Sequence, residues 1–383
     1  MARVTVSPKV LDWALARSGT SLSDLEPKIR KIRHWRSGQE QPTLRQLETL
    51  ARHTGTPLGY FFLDDPPIEN MPIPYYRTVQ AGKPPQPSLE LLDTIYAMQR
   101  RQSWMREFLI EIGHDALQFV GSLRTNGTPE ATAQCMRGIL QVDEDWSSKH
   151  ASWTEALRFL RESMEDAGII VVVNGVVGNN THRPLEVTEF RGFVLVDEYA
   201  PLAFVNGVDA KAAQMFTLAH ELAHICYGSS AAFDLREVRS ADDPIEQSCN
   251  KAAAEFLVPA KRMRDHWQGV LDDDRPFESI ARLFKVSEIV AARRALDLGL
   301  ITNKVFLEFY REYRGREQQT GSRKSQGGNF YATQNMRIGR TFASNVILAV
   351  KSDKLLYREA YRLTGLYGKT FERYAESLGF VGV

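Results

Sequence analysis

The sequence predicts an α+β protein that is mostly helical and contains one small β-sheet. Apolar residues recur at helical spacing over much of the chain, whereas three short runs rich in β-branched or aromatic residues, at 168–173, 193–196 and 202–205, are typical of buried strands. Two stretches rich in proline or in glycine and serine, at 64–88 and 315–329, predict linkers. A chain of 383 residues is long enough for two or three domains.

The composition is that of a soluble globular protein. The formal net charge is +1 and 43% of the residues are hydrophobic. The three cysteines are odd in number and widely spaced, which favours a reducing compartment and argues against a disulfide framework. The first residues lack the apolar core of a signal peptide, and no stretch approaches the length of a membrane-spanning helix. We therefore expect a cytoplasmic protein that does not act at a membrane.

Residues 1–63 are predicted to form a separate basic helical domain. The first sixty residues contain ten lysines and arginines but only five acidic residues, a local net charge of +5. Their apolar residues fit several short amphipathic helices separated by Ser18-Gly19-Thr20 and Ser37-Gly38. Clustered positive charge on a small helical domain is suited to the phosphates of DNA.

The same domain resembles the XRE, or lambda-repressor-like, helix-turn-helix family through residues 19–25, 35–44 and 57–62. The resemblance implies DNA binding. Two features depart from the family pattern: arginine follows Trp35 where glutamate is usual, and Pro27 interrupts the short segment before it. The alternative is a helical module that docks on a protein partner or on the rest of the chain. The predicted DNA contacts are Lys28, Arg30, Lys31, Arg33 and Arg36.

Residues 89–150 are predicted to be a helical connecting region, because their apolar side chains follow helical spacing. A further helix is expected at 154–166, and the three strands follow it. A hairpin turn at 197–200 joins the last two strands in this prediction. The strands should form a small sheet beside the helices that come next in the chain.

The strongest functional signal is His220-Glu221-Leu222-Ala223-His224. Two histidines four residues apart lie on one face of a helix, where both imidazoles can bind one zinc ion with Glu221 beside them. The neighbouring residues favour a helix: Asp209 is a suitable N-cap, and Gly228 stands where a left-handed C-terminal cap is expected. The pentapeptide therefore predicts the core of a metallopeptidase site. The alternative is a pair of surface histidines with Glu221 as a solvated charge.

A third zinc ligand should lie downstream, because catalytic zinc usually has three protein ligands and an open position. Glu246 is the candidate, since it opens a second helical run that ends at Pro259. Glu255 is the second choice, because it follows about two and a half turns later and points away from the same site. Cys249 could bind zinc as a thiolate, but a single helical cysteine beside alanines is more often a small buried hydrophobe.

Residues 216–224 and 245–259 together resemble the ImmA/IrrE family of zinc metallo-endopeptidases, and the similarity extends upstream through residues 189–193 and 201–207. The resemblance implies a zincin-like fold with a gluzincin-like site. It also implies a protein substrate, because similar family members cleave or antagonise DNA-binding repressors in phage, mobile-element or stress regulation. The site residues that it implies are the catalytic base Glu221 and the zinc ligands His220, His224 and Glu246.

Peptide hydrolysis at such a site needs a base and an oxyanion donor. Glu221 would take a proton from water and pass it to the leaving amine, while zinc polarises the scissile carbonyl. The polar loop at 178–183 needs no catalytic role to exist, and each candidate donor is more often structural. The sequence does not choose among the four candidate oxyanion donors, Tyr199, Tyr227, His182 and Arg183.

The C-terminal half contains a second segment with the shape of a helix-turn-helix, at 277–294. We favour a packing role for it, because a similar helical closure is usual in the family that the chain resembles. The last helices contain no motif that indicates chemistry. The predicted order is a helix-turn-helix domain at 1–63, a linker at 64–88, a connecting region at 89–150, a zinc peptidase domain at 151–312 and a C-terminal helical region at 313–383.

Two functions are compatible with this sequence. The first is a regulatory zinc endopeptidase that cleaves a transcriptional repressor or antitoxin-like partner and is coupled to DNA binding. The second is a non-catalytic DNA-binding regulator or antitoxin that uses the peptidase fold as a protein-binding scaffold. The complete His-Glu-His-Glu set favours the first, because a scaffold has no need for Glu221. We expect Zn²⁺ as the cofactor, a protein and DNA as partners, and a dimer.

Overall fold

The chain divides into two units. The computed structural model describes residues 3–67, 87–123, 127–233, 244–319 and 330–381. The first unit consists of Met1–Pro72 and Pro84–Ile95, and the second of Ile73–Lys83 and Tyr96–Val383. Most of the predicted linker, at 68–86, lies outside the described residues. The predicted domain boundaries stay predictions.

The first unit is built from short helices, as the sequence predicted. Thr43 caps the fourth of them, and its hydroxyl and the Gln46 side chain each accept a hydrogen bond from the other's backbone N–H. The core contains large apolar side chains, among them Trp35 and Phe61, which are fully buried. The helices are α1 (Pro8–Ser18), α2 (Leu22–Leu25), α3 (Ile32–Arg36) and α4 (Leu44–Thr54), followed by a 3-10 turn at Leu58–Phe62.

The remaining helices confirm that the protein is mostly helical. Among the described residues, no helix is both long and apolar enough to cross a membrane. The helices before the sheet are α5 (Leu89–Glu111), α6 (Pro129–Leu140) and α7 (Trp153–Asp166). Those after it are α8 (Lys211–Tyr227), α9 (Pro244–Leu257), α10 (Ala260–Trp267), α11 (Pro276–Phe284), α12 (Glu288–Asp297), α13 (Asn303–Gln319), α14 (Phe330–Ile338), α15 (Arg340–Lys351), α16 (Tyr357–Thr364) and α17 (Lys369–Ser377).

The three predicted strands form a mixed sheet with a fourth strand that the sequence did not reveal. The sheet order is β1-β5-β4-β6, in which β1 and β5 are parallel and the other pairs are antiparallel. A second, two-stranded sheet pairs β2 with β3. The strands are β1 (Ile170–Asn174), β2 (Val176–Val177), β3 (Asn180–Pro184), β4 (Gly192–Leu195), β5 (Leu202–Asn206) and β6 (Ala231–Phe233).

Two loop predictions were wrong in part. The polar segment at 178–183 contains strand β3, whose mostly exposed side chains explain why no apolar pattern revealed it. The predicted flexible loop at 315–329 begins too early, because α13 continues to Gln319, and the exposed side chains at 314–316 carry no core signal. The predicted hairpin between β4 and β5 is confirmed, and the Asp197 carboxylate accepts hydrogen bonds from two backbone N–H groups of the turn.

The sheet positions α8 in the centre of the second unit. Helix α8 packs on β4 and β5, whereas α7 and α14 pack against β1. All the residues of β1, β4 and β5 are buried, which explains why these strands were recognisable as continuous apolar runs. All three cysteines are free thiols, in agreement with the expected absence of a disulfide framework.

Candidate metal centre

Helix α8 carries the His-Glu-His pentapeptide. The structure corrects the predicted N-cap: the cap residue is Ala210, and the Asp209 carboxylate instead accepts hydrogen bonds from Arg191 and from the Ala210 backbone N–H. Gly228 ends the helix in the left-handed conformation, with φ 74°, as predicted. Every side chain from Gln214 to Cys226 is buried, so the pentapeptide lies inside the protein and not on its surface.

The structure brings Glu246 to the two histidines. Glu246 lies in the first turn of α9, which packs tightly against α8. Its carboxylate oxygens lie 3.3 Å from the His220 Nε2 atom and 3.1 Å from the His224 Nε2 atom. The two histidine nitrogens are 3.0 Å apart, and all three side chains are at most 1% exposed. Three ligand atoms from two helices therefore converge on one buried point.

The donor set fits a metal ion. Within the described part of the chain, His220, His224 and Glu246 are the group of ligand side chains whose binding atoms all lie within 4.8 Å of one another. Two imidazole nitrogens and one carboxylate are the ligands of many catalytic zinc sites. The Nε2 atoms of the two neutral imidazoles face each other at this short distance. A shared cation can accept the lone pairs of both nitrogens, which a hydrogen bond between the two rings cannot do.

The charges of the cluster depend on its burial. Desolvation lowers the pKa of His220 to about 4, so this ring is neutral at pH 7, the form that binds metals. Burial alone would raise the pKa of Glu246, but hydrogen bonds from His220 and His224 outweigh it and lower the pKa to about 2. Burial, reinforced by the nearby Glu246 charge, raises the pKa of Glu221 well above its ordinary value.

Glu221 lies against strand β4 at a glycine. A β-carbon at Gly192 would lie 3.0 Å from the Glu221 Oε1 atom and 2.5 Å from the Thr217 Cγ2 atom, one turn earlier on α8. Strand β4 and helix α8 therefore approach each other more closely than any residue other than glycine would allow at position 192. Sequence reasoning missed Gly192 and Thr217 as parts of the site, although the resemblance included residues 189–193.

Three other side chains of α9 have different surroundings. Asn250, one turn after Glu246, lies near the His220 imidazole and makes a small contribution that raises the pKa of this ring. Polar groups beside a metal-binding imidazole commonly orient it. Glu255, the second-choice ligand, instead forms an ion pair with Arg294 and accepts a hydrogen bond from the Ala260 backbone N–H. Cys249 is buried and lies outside the cluster of ligand atoms.

The four candidate oxyanion donors lie in separate places. The Tyr227 hydroxyl is 2.8 Å from the Thr132 hydroxyl oxygen, and the guanidinium of Arg106 lies over the Tyr199 ring. His182 and Arg183 belong to strand β3 of the two-stranded sheet. None of these contacts involves the three clustered side chains.

The five predicted DNA contacts surround the two shortest helices of the first unit. Lys28 and Arg30 are exposed in the segment between α2 and α3. This segment is not a helix, in keeping with the predicted effect of Pro27. The other three cations are exposed and paired with acidic side chains: Lys31 with Glu40, Arg33 with Glu26, and Arg36 with Asp12.

The fold and the site define a metallopeptidase-like domain. In agreement, residues 174–296 match the peptidase M78 family model, which is described as the IrrE N-terminal-like domain. This match supports the resemblance to the ImmA/IrrE family for that part of the chain. Residues 338–377 match a domain of unknown function, DUF8813. No curated protein and no solved structure matches the chain.

Proposed function

We propose that the chain is a regulatory zinc-dependent endopeptidase that cleaves one transcriptional repressor or antitoxin-like protein. We further propose that residues 1–63 couple this activity to DNA binding. The observation that supports the peptidase most directly is the convergence of His220, His224 and Glu246 beside a buried Glu221. The metal-binding histidines and the base share one helix, so their relative positions are fixed by helical geometry.

The residues of the site have separate roles in this proposal. His220, His224 and Glu246 hold the zinc ion, which when bound acts as a Lewis acid and makes water a better nucleophile. Glu221 accepts a proton from the attacking water and delivers it to the leaving amine. Asn250 orients the His220 ring, and the absence of a side chain at Gly192 leaves room for the Glu221 carboxylate beside β4.

The proposed DNA-binding role of the first unit rests on its charge and its separate core. The first unit has its own buried core and an excess of exposed cations, which suits a small phosphate-binding domain. Only Lys28 and Arg30 of the five predicted contacts stand apart from the three ion pairs described above. Together with the short α2 and α3, this favours backbone phosphate contacts over base recognition.

The experiment combines metal analysis with a cleavage assay. The full chain is co-expressed with the product of the adjacent gene as the substrate, and bound zinc is measured after purification. We expect stoichiometric zinc and cleavage for the wild type, and neither for His220→Ala. Glu221→Gln should keep its zinc and lose cleavage, because the substitution removes the base and no ligand.

Two exposed residues of the same unit provide matched controls. His114→Ala and Glu186→Gln change the same residue types outside the cluster and should keep both zinc and cleavage. Cleavage by Glu221→Gln at the wild-type rate would contradict the mechanism. A tight complex with the wild type that stays uncleaved despite bound zinc would support the scaffold function instead.

A further inference from the structure

The last three helices form a unit whose function the sequence did not reveal. They cover the segment that matches a domain of unknown function. Helix α15 packs against α16, and the Phe371 ring of α17 lies 5.5 Å from Tyr361 and 6.4 Å from Tyr357, both of α16. Aromatic contacts thus fix the arrangement of the last two helices.

A four-residue turn joins α16 and α17. Gly365 and Gly368 both have positive φ, at 72° and 50°, a conformation that favours glycine. Between them Leu366 is buried at 3% exposure and anchors the turn in the core. A turn of three or four residues with glycine between two packed helices is a feature of helix-turn-helix units.

The second helix of this pair has one buried and one polar face. Phe371, Tyr374 and Ala375 are fully buried. The exposed residues of α17 are all polar or charged, which distinguishes this helix from one that lies on a membrane surface. They are Lys369, Thr370, Arg373, Glu376 and Ser377.

Four exposed cations are arranged in two pairs with i,i+4 spacing. Arg358 and Arg362 lie on α16, and Lys369 and Arg373 lie on α17. Within the described residues, none of the four forms an ion pair. Like charges at i,i+4 repel each other, and an anionic partner would neutralise both pairs.

We propose that α15, α16 and α17 form a DNA-binding helix-turn-helix in which α17 enters the major groove of a duplex. The first residues of the second helix reach the base edges in this docking mode, and here they are Lys369, Thr370 and Arg373. Arg358 and Arg362 of the preceding helix contact backbone phosphates. The major groove of B-DNA admits an α-helix, whereas that of A-form RNA does not. This site requires neither zinc nor peptidase activity.

The test separates this module from the predicted DNA-binding domain at 1–63. It uses the full chain in a background where the N-terminal contacts are removed. Binding of a labelled mixed-sequence DNA duplex is followed by fluorescence anisotropy as a function of salt. The background substitutions are Lys28→Ala, Arg30→Ala, Lys31→Ala, Arg33→Ala and Arg36→Ala.

The test variant adds four further substitutions to this background. We expect the affinity at low salt to fall at least about tenfold, and the slope of log affinity against log salt to decrease by about 2 for the two lost phosphate contacts of Arg358 and Arg362. The control variant loses the same number of exposed cations elsewhere in the second unit and should bind like the background protein. The test substitutions are Arg358→Ala, Arg362→Ala, Lys369→Ala and Arg373→Ala, and the control substitutions are Lys261→Ala, Arg264→Ala, Lys304→Ala and Arg311→Ala.

Several results would overturn the proposal. These are no duplex binding by the background protein at low salt, equal losses in the test and control variants, and equal affinity for an RNA duplex. The proposal would also be overturned if the test variant lost binding to phosphatidylserine vesicles but kept its binding to DNA. Circular dichroism melting checks the fold of the test variant. If that variant unfolds, the milder Lys369→Gln, Arg373→Gln double variant is used with the same expected direction.

Discussion

Replacement of Gly192 by alanine tests how closely the strand and the metal-site helix must approach. The new β-carbon would lie 2.5 Å from the Thr217 Cγ2 atom and 2.7 Å from the Phe204 carbonyl oxygen. Neither neighbour can move easily. Phe204 is in β5, in the middle of the sheet, and the Thr217 hydroxyl donates a hydrogen bond to the Ala213 carbonyl oxygen. The alanine must therefore displace β4, α8 or the Glu221 carboxylate, which lies 3.0 Å from the same point.

Overpacking of this kind in a buried region costs about 1–3 kcal/mol of unfolding free energy. For a unit of this size, each kcal/mol lowers the melting temperature by roughly 2–4 °C, so we expect a decrease of roughly 2–12 °C. Cleavage of the protein partner should fall more steeply than stability, because a displacement of about 1 Å in a catalytic group can cost about a hundredfold in rate.

Differential scanning fluorimetry and the partner-cleavage assay measure the two effects. The control is Gly138→Ala in α6, where an added β-carbon meets no atom within 4 Å and the backbone is helical. This variant should melt no lower than the wild type, since alanine is the better helix former. If Gly192→Ala melted and cleaved like the wild type, the close approach of β4 to Glu221 would have no part in the site.

Three further substitutions test other parts of the second unit. Asn250→Ala should weaken zinc binding by about 10–100-fold in a chelator competition, whereas the exposed Lys251→Ala should not. Arg294→Ala should lower the unfolding free energy by about 3–5 kcal/mol in denaturant titrations, because it leaves the buried Glu255 carboxylate without its partner; the double variant with Glu255→Gln should lose less. Burial raises the pKa of Glu165 to about 7. The protonated carboxyl therefore stabilises the folded protein below pH 4.5, and this stabilisation is lost as the pH rises to 7, which lowers the unfolding free energy by up to about 3 kcal/mol. Glu165→Gln should remove this pH dependence. A wild-type pH profile for Glu165→Gln would contradict this assignment.

The elements that the sequence predicted are those with local signals. The buried strands were recognisable because each is a continuous apolar or β-branched run, and the end of α8 at Gly228 follows from glycine's access to positive φ. Strand β3 was missed because its side chains are mostly exposed and polar. The N-cap of α8 was misplaced because Asp209 is held by Arg191, a contact between residues 18 positions apart that no local pattern encodes.

In the metal centre too, residues with a local sequence signal were predicted, whereas contacts between distant elements were not. His220, Glu221 and His224 lie within one helix, so their common position follows from helical spacing alone. Glu246 was chosen over Glu255 from helix phase, and the structure places Glu246 beside the histidines and Glu255 beside Arg294. The spacing of residues in the sequence could not predict that α9 packs against α8.

Both helices carry small buried side chains that are compatible with this approach. Cys249, Ala252 and Ala253 of α9 are fully buried, and α8 contributes Ala219 and Ala223 to the same core. Side chains of this size let helix axes come close, since the distance between packed helices is set by the residues at the contact. Larger residues there would move Glu246 away from the histidines without changing any ligand. The alanine-rich run around Cys249 therefore favours the close packing by which a carboxylate from one helix reaches two imidazoles on another.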